Sequence, residues 1–230
     1  MTRSADRIDV IVDNTPRVVA CRVCNHPTSD FFMRCDEREY WACPRCEARF
    51  LDPKFFLSRD EEHAHYKLHE NHVDDPRYRK FLSKLVNPML SKLGSQMDGL
   101  DFGCGRGPAL GAMMGEAGHC ITLYDPLFFP DDEALIRTYD FVTCTETVEH
   151  FYEPYLMFAT FDALLRPGGW LGVMTCFQTD DLRFADWHYR KDPTHVVFYR
   201  AATFQSIAAR FGWSCEVVCK DVVMMRKPLV

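Results

Sequence analysis

The chain has 230 residues, 47% of them apolar and 13% aromatic, and a net charge of −6. This is enough apolar side chain for a sizeable core and excludes compositional disorder. The acidic balance disfavours broad nucleic-acid binding, which needs clustered lysine and arginine, and no apolar run reaches the roughly 18 residues of a bilayer span.

The opening "MTRSADRIDVIVDN" has no long apolar stretch and does not read as a signal peptide. Eleven cysteines in such a chain point to a reducing compartment, taken here as cytoplasmic, with thiols that are buried or bind metal. Residues 1 to 20 read as a loose or β-rich lead-in. The next unit, "CRVCNHPTSDFFMRCDEREYWACPRCEARF", is bounded by cysteines. Its two knuckles, Cys21-x2-Cys24 and Cys43-x2-Cys46, have the spacing of a zinc ribbon. Four thiolates would close the coordination sphere, so a Zn²⁺ held there is structural, and it would supply the stability that so short a unit lacks. Five arginines (22, 34, 38, 45, 49) balance five acids (30, 36, 37, 39, 47) across the ribbon. That is not the charge of a nucleic-acid module. Docking on a catalytic domain, or walling a pocket, suits it better.

Ser58 reads as a helix N-cap, and "DDPRYRKFLSKLVNPML" as a second helix with Pro76 in its first turn. Strands and helices then alternate. "MDGLDF" is a strand, "GPALGAMMGEAG" a helix closed by Gly118, and "HCITLYD" and "YDFVTCTE" are strands. "EPYLMFATFDALL" is a helix, "GGWLGVMTC" a strand, and "AATFQSIAARFGW" a helix ending at Gly212. "SCEVVC" and "VVMMRK" are separated only by Lys220 and Asp221, which suits an antiparallel pair. The alternation predicts an α/β three-layer sandwich on a mostly parallel sheet. The expected division is residues 1–57 for lead-in and ribbon, and residues 58–230 for the α/β domain. Within the latter, 58–93 would be a helical cap and 176–200 an insertion over the substrate.

The most informative stretch is "LDFGCGRGPAL". Gly103, Gly105 and Gly107 follow a strand that ends near Asp101, and a helix begins at once. Glycine there permits positive φ and close approach of the backbone to a ligand. The dinucleotide pattern G-x-G-x-x-G is not met, because Pro108 takes the place of its third glycine. A second acid, Asp125, closes the next strand, where an acid commonly meets ribose hydroxyls.

Strand, acid, G-x-G-x-G, helix, strand and acid together resemble motif I of the class I S-adenosylmethionine (SAM) methyltransferases. The resemblance continues through "YDFVTCTETVEHFYEPYLMFATFDALLRPGGWLGVMT" and covers roughly residues 100–213. It implies a Rossmann-like domain with a seven-stranded sheet whose last strand is antiparallel, and SAM as cofactor. It further implies that Gly103, Cys104, Gly105 and Gly107 line the methionine part of SAM. Asp101 would orient the loop or the amino group, Asp125 would bind the ribose, and Thr145 and Glu146 would border the cofactor. The family's separate acid near the adenine has no counterpart that can be assigned in "PDDEALIRTYD".

Three histidine-bearing segments compete for the acceptor side. They are "ETVEHF" with Glu149 and His150, "DWHYRKDPTHVVFY", and "EEHAHYKLHEN", where His65 and His69 share a helix face. Histidine suits removal of a proton near neutral pH. His150, His195 and Tyr189 are the expected catalytic residues. Tyr66, His69, Asn71, Trp187, His188 and Tyr199 are the expected substrate contacts. The reading is methyl transfer from SAM to an oxygen or nitrogen of a small molecule, with no membrane partner. The alternatives are an RNA methyltransferase that reads through its ribbon, or a binding protein without turnover.

Overall fold

The computed structural model describes residues 18–67 and 72–230. The lead-in up to residue 17, and with it His69 and Asn71, lies outside the described residues. Two sheets share one interior. The first is antiparallel and built from β1 (Asp30–Cys35), β2 (Arg38–Ala42), β3 (Arg49–Leu51) and β8 (Val197–Phe198), in that order. The last of these comes from the far side of the chain, within the segment expected to cap the substrate. The ribbon is therefore closed by the insertion itself: Phe50 pairs with Val197 and Arg49 with Phe198.

The second sheet has the order β5-β4-β6-β7-β10-β9. Its strands are β4 (Asp98–Phe102), β5 (Cys120–Tyr124), β6 (Tyr139–Thr145), β7 (Leu165–Met174), β9 (Ser214–Cys219) and β10 (Val222–Arg226). Strands β4 to β7 are mutually parallel, and β10 runs antiparallel to both β7 and β9. The Rossmann-like class and the antiparallel last strand agree with the sequence reading. The sheet has six strands among the described residues rather than seven. Residues 125–138, between β5 and β6, form a bridge and one short 3-10 turn at Asp132–Leu135. That length does not hold a helix and a further strand, so β5 is the edge.

Helices α2 (Pro76–Lys92) and α3 (Ala109–Glu116) cover one face, where Leu85 and Met89 pack with Met114, Phe141 and Met224. Helices α4 (Pro154–Leu164) and α6 (Ala201–Phe211) cover the other, where Phe158, Phe161 and Phe204 pack on Val142 and Val173. This second core runs without a break into the ribbon through Tyr40, Phe50, Phe184 and Phe198. Local signals behave as expected. Ser58 and Glu61 form a capping box on α1 (Arg59–Tyr66), Pro76 opens α2, and Gly212 ends α6 in the left-handed region at φ +67°. No helix among the described residues is long and apolar enough to cross a membrane.

Candidate active site

The glycine turn sits between β4 and α3, at the carboxyl end of the parallel strands. Gly103 and Gly105 both have positive φ, +72° and +62°. A Cβ on Gly103 would lie 2.4 Å from the Thr147 side chain, whereas a Cβ on Gly105 would meet open space. Gly105 therefore faces a vacancy that a ligand can approach. The backbone of Gly103 donates to Tyr124 O (2.8 Å), and that of Gly105 to Asp125 Oδ2 (3.0 Å). Asp125 Oδ1 accepts from the backbones of Leu127 and Phe128 (2.9 and 3.1 Å). The acid thus ties the glycine loop to the turn after β5, and Oδ2, with one donor, keeps acceptor capacity. Gly107 O accepts from Ala109 N (2.7 Å) as the helix starts.

Asp101 is buried beneath the loop and accepts from Thr143 Oγ1 (3.0 Å) and Gly111 N (3.1 Å). Burial pushes its carboxyl up to about 6, against those two hydrogen bonds. Burial likewise raises the Cys104 thiol, with the Asp101 charge adding to it. At the end of β6 the Thr145 hydroxyl is buried without a hydrogen-bond partner, an uncommon state for a buried polar atom. Next to it Glu146 has φ +47°, and burial together with the Glu149 charge raises its carboxyl to about 9. An open glycine cradle, an orphaned hydroxyl and an acid kept neutral fit a polar ligand that carries positive charge.

Thr147 joins this loop to a second cluster. Its hydroxyl reaches Gly103 O (3.3 Å) and Thr145 O (2.9 Å), and the turn Val148–His150 follows at once. Glu149 is fully buried there. Its carboxylate accepts from Tyr189 Oη (2.5 Å) and Thr175 Oγ1 (3.0 Å). Burial pushes that carboxyl up, against the opposing influence of His195 and Tyr189. The His150 and His195 rings stand 4.7 Å apart, and Tyr189 lies 4.2 Å from His195. Tyr66 meets His150 edge-on at 5.4 Å, and His65 Nε2 is 3.3 Å from Asp192. The three segments that competed in the sequence thus converge on one place, with Glu149 at its centre. His195 is held below the usual histidine range by burial and by His150.

In the ribbon, the four thiols of Cys21, Cys24, Cys43 and Cys46 lie within 4.8 Å of one another. The Cys21–Cys46 and Cys24–Cys43 sulfurs are 3.6 Å apart. Thiolates at a zinc–sulfur distance of about 2.3 Å stand roughly 3.7 Å apart in a tetrahedron, so the donor set and spacing fit zinc.

The sequence model of a methyltransferase-domain family matches residues 75–218. The chain belongs to that family. Among curated proteins none matches this methyltransferase by sequence. Among solved structures it is similar to the Burkholderia thailandensis 1,6-didemethyltoxoflavin-N1-methyltransferase with bound 1,6-didemethyltoxoflavin and S-adenosylhomocysteine. The identity is 16%, the TM-score 0.50, and the match covers 86% of this chain and 99% of that one. It also matches the magnesium protoporphyrin IX methyltransferase of Synechocystis PCC 6803 with bound S-adenosylhomocysteine. There the identity is 13%, the TM-score 0.49, and coverage is 76% of this chain and 97% of that one. The expected class I SAM methyltransferase fold is borne out at this level.

The remaining expected site residues of the methyltransferase divide by position. Trp187 is half-buried against Tyr189 and Phe198 (5.2 and 5.8 Å), at the border of the cluster. His188 is exposed. Tyr199 was expected to contact substrate and instead lies in the core. Its hydroxyl is satisfied by Val148 O (2.9 Å) and its ring is stacked on Phe204 (5.0 Å). Tyr199 directly follows β8 and meets Phe158 and Phe204 of α4 and α6, so it turns inward. Thr175, Asp192 and Glu62 were not anticipated. Thr175 follows β7, Asp192 lies in the insertion, and Glu62 on α1 accepts from Tyr66 Oη (2.9 Å), so packing alone brings them together.

The open space over Gly105 gives a direct test. In Gly105→Ala the left-handed φ costs about 1–2 kcal/mol, so the protein should fold with a modestly lower Tm. The methyl group then occupies the cradle. Calorimetry should find SAM binding reduced below detection, and unchanged affinity would remove the loop from the cofactor site.

Proposed function

We propose that this protein transfers a methyl group from SAM to an oxygen or nitrogen of a small-molecule acceptor. One observation carries the reading. A cluster of buried Glu149, His195, Tyr189 and Thr175 with half-buried His150 is tied through Thr147 to the open glycine turn. SAM, when bound, supplies a methyl group on a positively charged sulfonium leaving group. Gly103, Cys104, Gly105 and Gly107 would line it, Asp101 and Asp125 would brace that loop, and Thr145 and Glu146 would border the charge. His150, His195 and Tyr189 with Glu149 would hold the acceptor and draw off its proton as it attacks. The acceptor then gains the methyl, the C–S bond breaks, and S-adenosylhomocysteine leaves.

A small acceptor is supported by where the ribbon's charge goes. Arg49 pairs with Asp181 (2.9 Å), and Arg22 reaches Tyr152 O (2.6 Å) and Glu153. Arg190, itself buried, joins Asp36 of the β1–β2 turn (2.6 Å) to the helix α5 (His188–Lys191) that carries Tyr189. The ribbon's polar contacts thus brace the pocket wall rather than form a basic track. The Burkholderia neighbour holds a small heterocycle beside S-adenosylhomocysteine, in line with this reading.

Incubating the protein with methyl-labelled SAM and an extract of its source tests this. Label should enter the small-molecule fraction. Label in RNA, or none anywhere, would overturn the reading. A second test uses Glu146, whose raised carboxyl is neutral at pH 7 and becomes charged only as pH passes about 9. A sulfonium bound beside it favours the anion. SAM binding at pH 7.5 should therefore release a proton and tighten as pH rises toward 9. S-adenosylhomocysteine, which lacks the sulfonium charge, should release fewer protons. Calorimetry in two buffers of different ionisation enthalpy measures the difference.

A further inference from the structure

We propose that Glu149, His150 and His195 bind a second metal ion, a divalent first-row cation such as Zn²⁺ or Co²⁺, in the acceptor pocket. The proposal rests on the reading of this pocket as the acceptor site, and refines how the acceptor is activated there. One ligand atom from each of the three residues lies within 4.8 Å of the other two. The orientation of the imidazoles gives the stronger argument. His195 Nδ1 is 2.7 Å from Tyr189 O, and His150 Nδ1 is 3.1 Å from Thr194 O. A carbonyl oxygen only accepts, so each Nδ1 carries a proton. In the neutral rings each Nε2 is then a lone pair. Both Nε2 atoms turn toward acidic oxygens: His150 Nε2 lies 3.9 Å from Glu149 Oε1, and His195 Nε2 lies 3.9 Å from Asp192 Oδ2.

Backbone carbonyls that fix the Nδ1–H tautomer are the usual outer support of metal-binding histidines. Glu149 has comparable support, because Tyr189 and Thr175 hold its carboxylate in place. A buried carboxylate, a buried imidazole and a half-buried one brought this close form a donor set that a cation can bind. Two imidazoles and one carboxylate suit first-row divalent ions better than Mg²⁺ or Ca²⁺. Three protein ligands also leave coordination positions open. The four-cysteine site differs in each respect: it is all sulfur, closed, and in the ribbon.

The open positions would take an oxygen of the acceptor, which points to a hydroxylated acceptor. Coordination lowers the pKa of a bound hydroxyl. Its O–H bond would break and the proton would pass to the His65 imidazole, which Asp192 faces at 3.3 Å. The oxygen then takes the methyl as the S–CH3 bond breaks. The products are the methyl ether, S-adenosylhomocysteine and one proton.

Metal content of the full-length protein tests the site without any acceptor. After equilibration with Zn²⁺ and gel filtration, elemental analysis should give two zinc ions per chain. The double variant His150→Ala/His195→Ala should give one, and that retained ion shows that the ribbon and fold are intact. Co²⁺ added to the zinc-ribbon protein should produce a d–d spectrum without thiolate charge transfer, absent from the double variant. One metal per chain in the native protein, or two in the variant, would overturn the proposal. Label transfer from SAM at full rate by protein holding one metal per chain would overturn the metal site and leave the methyltransferase reading standing. Two metals per chain with no label transfer would support the site and sink that reading instead.

Discussion

Removing the ribbon's metal is expected to destabilise the whole protein, not the ribbon alone. Structural zinc contributes about 10–16 kcal/mol in isolated zinc-binding units, while a domain of this kind is stable by only about 5–15 kcal/mol. The unit held by Cys21, Cys24, Cys43 and Cys46 shares its interior with the catalytic domain. Phe184 packs at 5.1 Å from Tyr40 of the ribbon and at 5.1 Å from Phe198 of the insertion. Leu51 N also donates to Val196 O (2.8 Å). Losing the metal therefore loosens β3, then β8, then the segment that carries Tyr189 and His195. Cys43→Ser should lower zinc by one equivalent and shift the denaturation midpoint of the full chain, with near-ultraviolet circular dichroism lost in the same transition. A normal midpoint at reduced zinc content would refute the coupling. Because thiolates must be deprotonated to bind, the same loss should appear on acidification.

The second large effect is expected at Glu149, whose carboxylate accepts from both Tyr189 and Thr175. Glu149→Gln keeps the volume and removes the charge. Alanine would also leave the Tyr189 and Thr175 hydroxyls unsatisfied, at about 1–3 kcal/mol each. The glutamine variant should still bind SAM, because the glycine loop is held by Asp101 and Asp125. Its kcat should fall by about 10²–10⁴, the usual contribution of positioned acid–base groups. The rate is measured on the acceptor that label transfer identifies, with SAM affinity measured in parallel. A kcat within threefold of native would remove Glu149 from the chemistry. Burial raises the Glu149 carboxyl, so its neutral form is favoured by folding. Protein stability should therefore decline as pH rises above the ordinary carboxylate range, and this slope should be shallower in Glu149→Gln.

Much of this was legible in the sequence, for local reasons. A strand, three glycines and a helix form one continuous stretch, so the loop at residues 103–107 could be read from turn chemistry and periodicity alone. Two C-x2-C knuckles state their chemistry wherever the chain takes them. Ser58, Pro76 and Gly212 punctuate helices through contacts within a few residues. The number of strands was misjudged because the family pattern was carried across residues 125–138, which are too few for a helix and a strand.

What only the tertiary structure decided is which distant residues meet. His65, His150 and His195 are spread over three segments, and nothing in their spacing chooses among them. They converge because parallel strands end on one side of the sheet, and the loops that follow must share that edge. Glu149 became central and Tyr199 became core for the same reason: a side chain's partners depend on what covers its strand. The sequence by itself thus determined a four-cysteine ribbon suited to zinc, an α/β sheet and a glycine cradle, because each is specified by neighbours in the chain. The joining of the ribbon sheet by β8, and the cluster around Glu149 with its partners 26 and 40 residues away, depend on contacts between distant segments, which only packing can select.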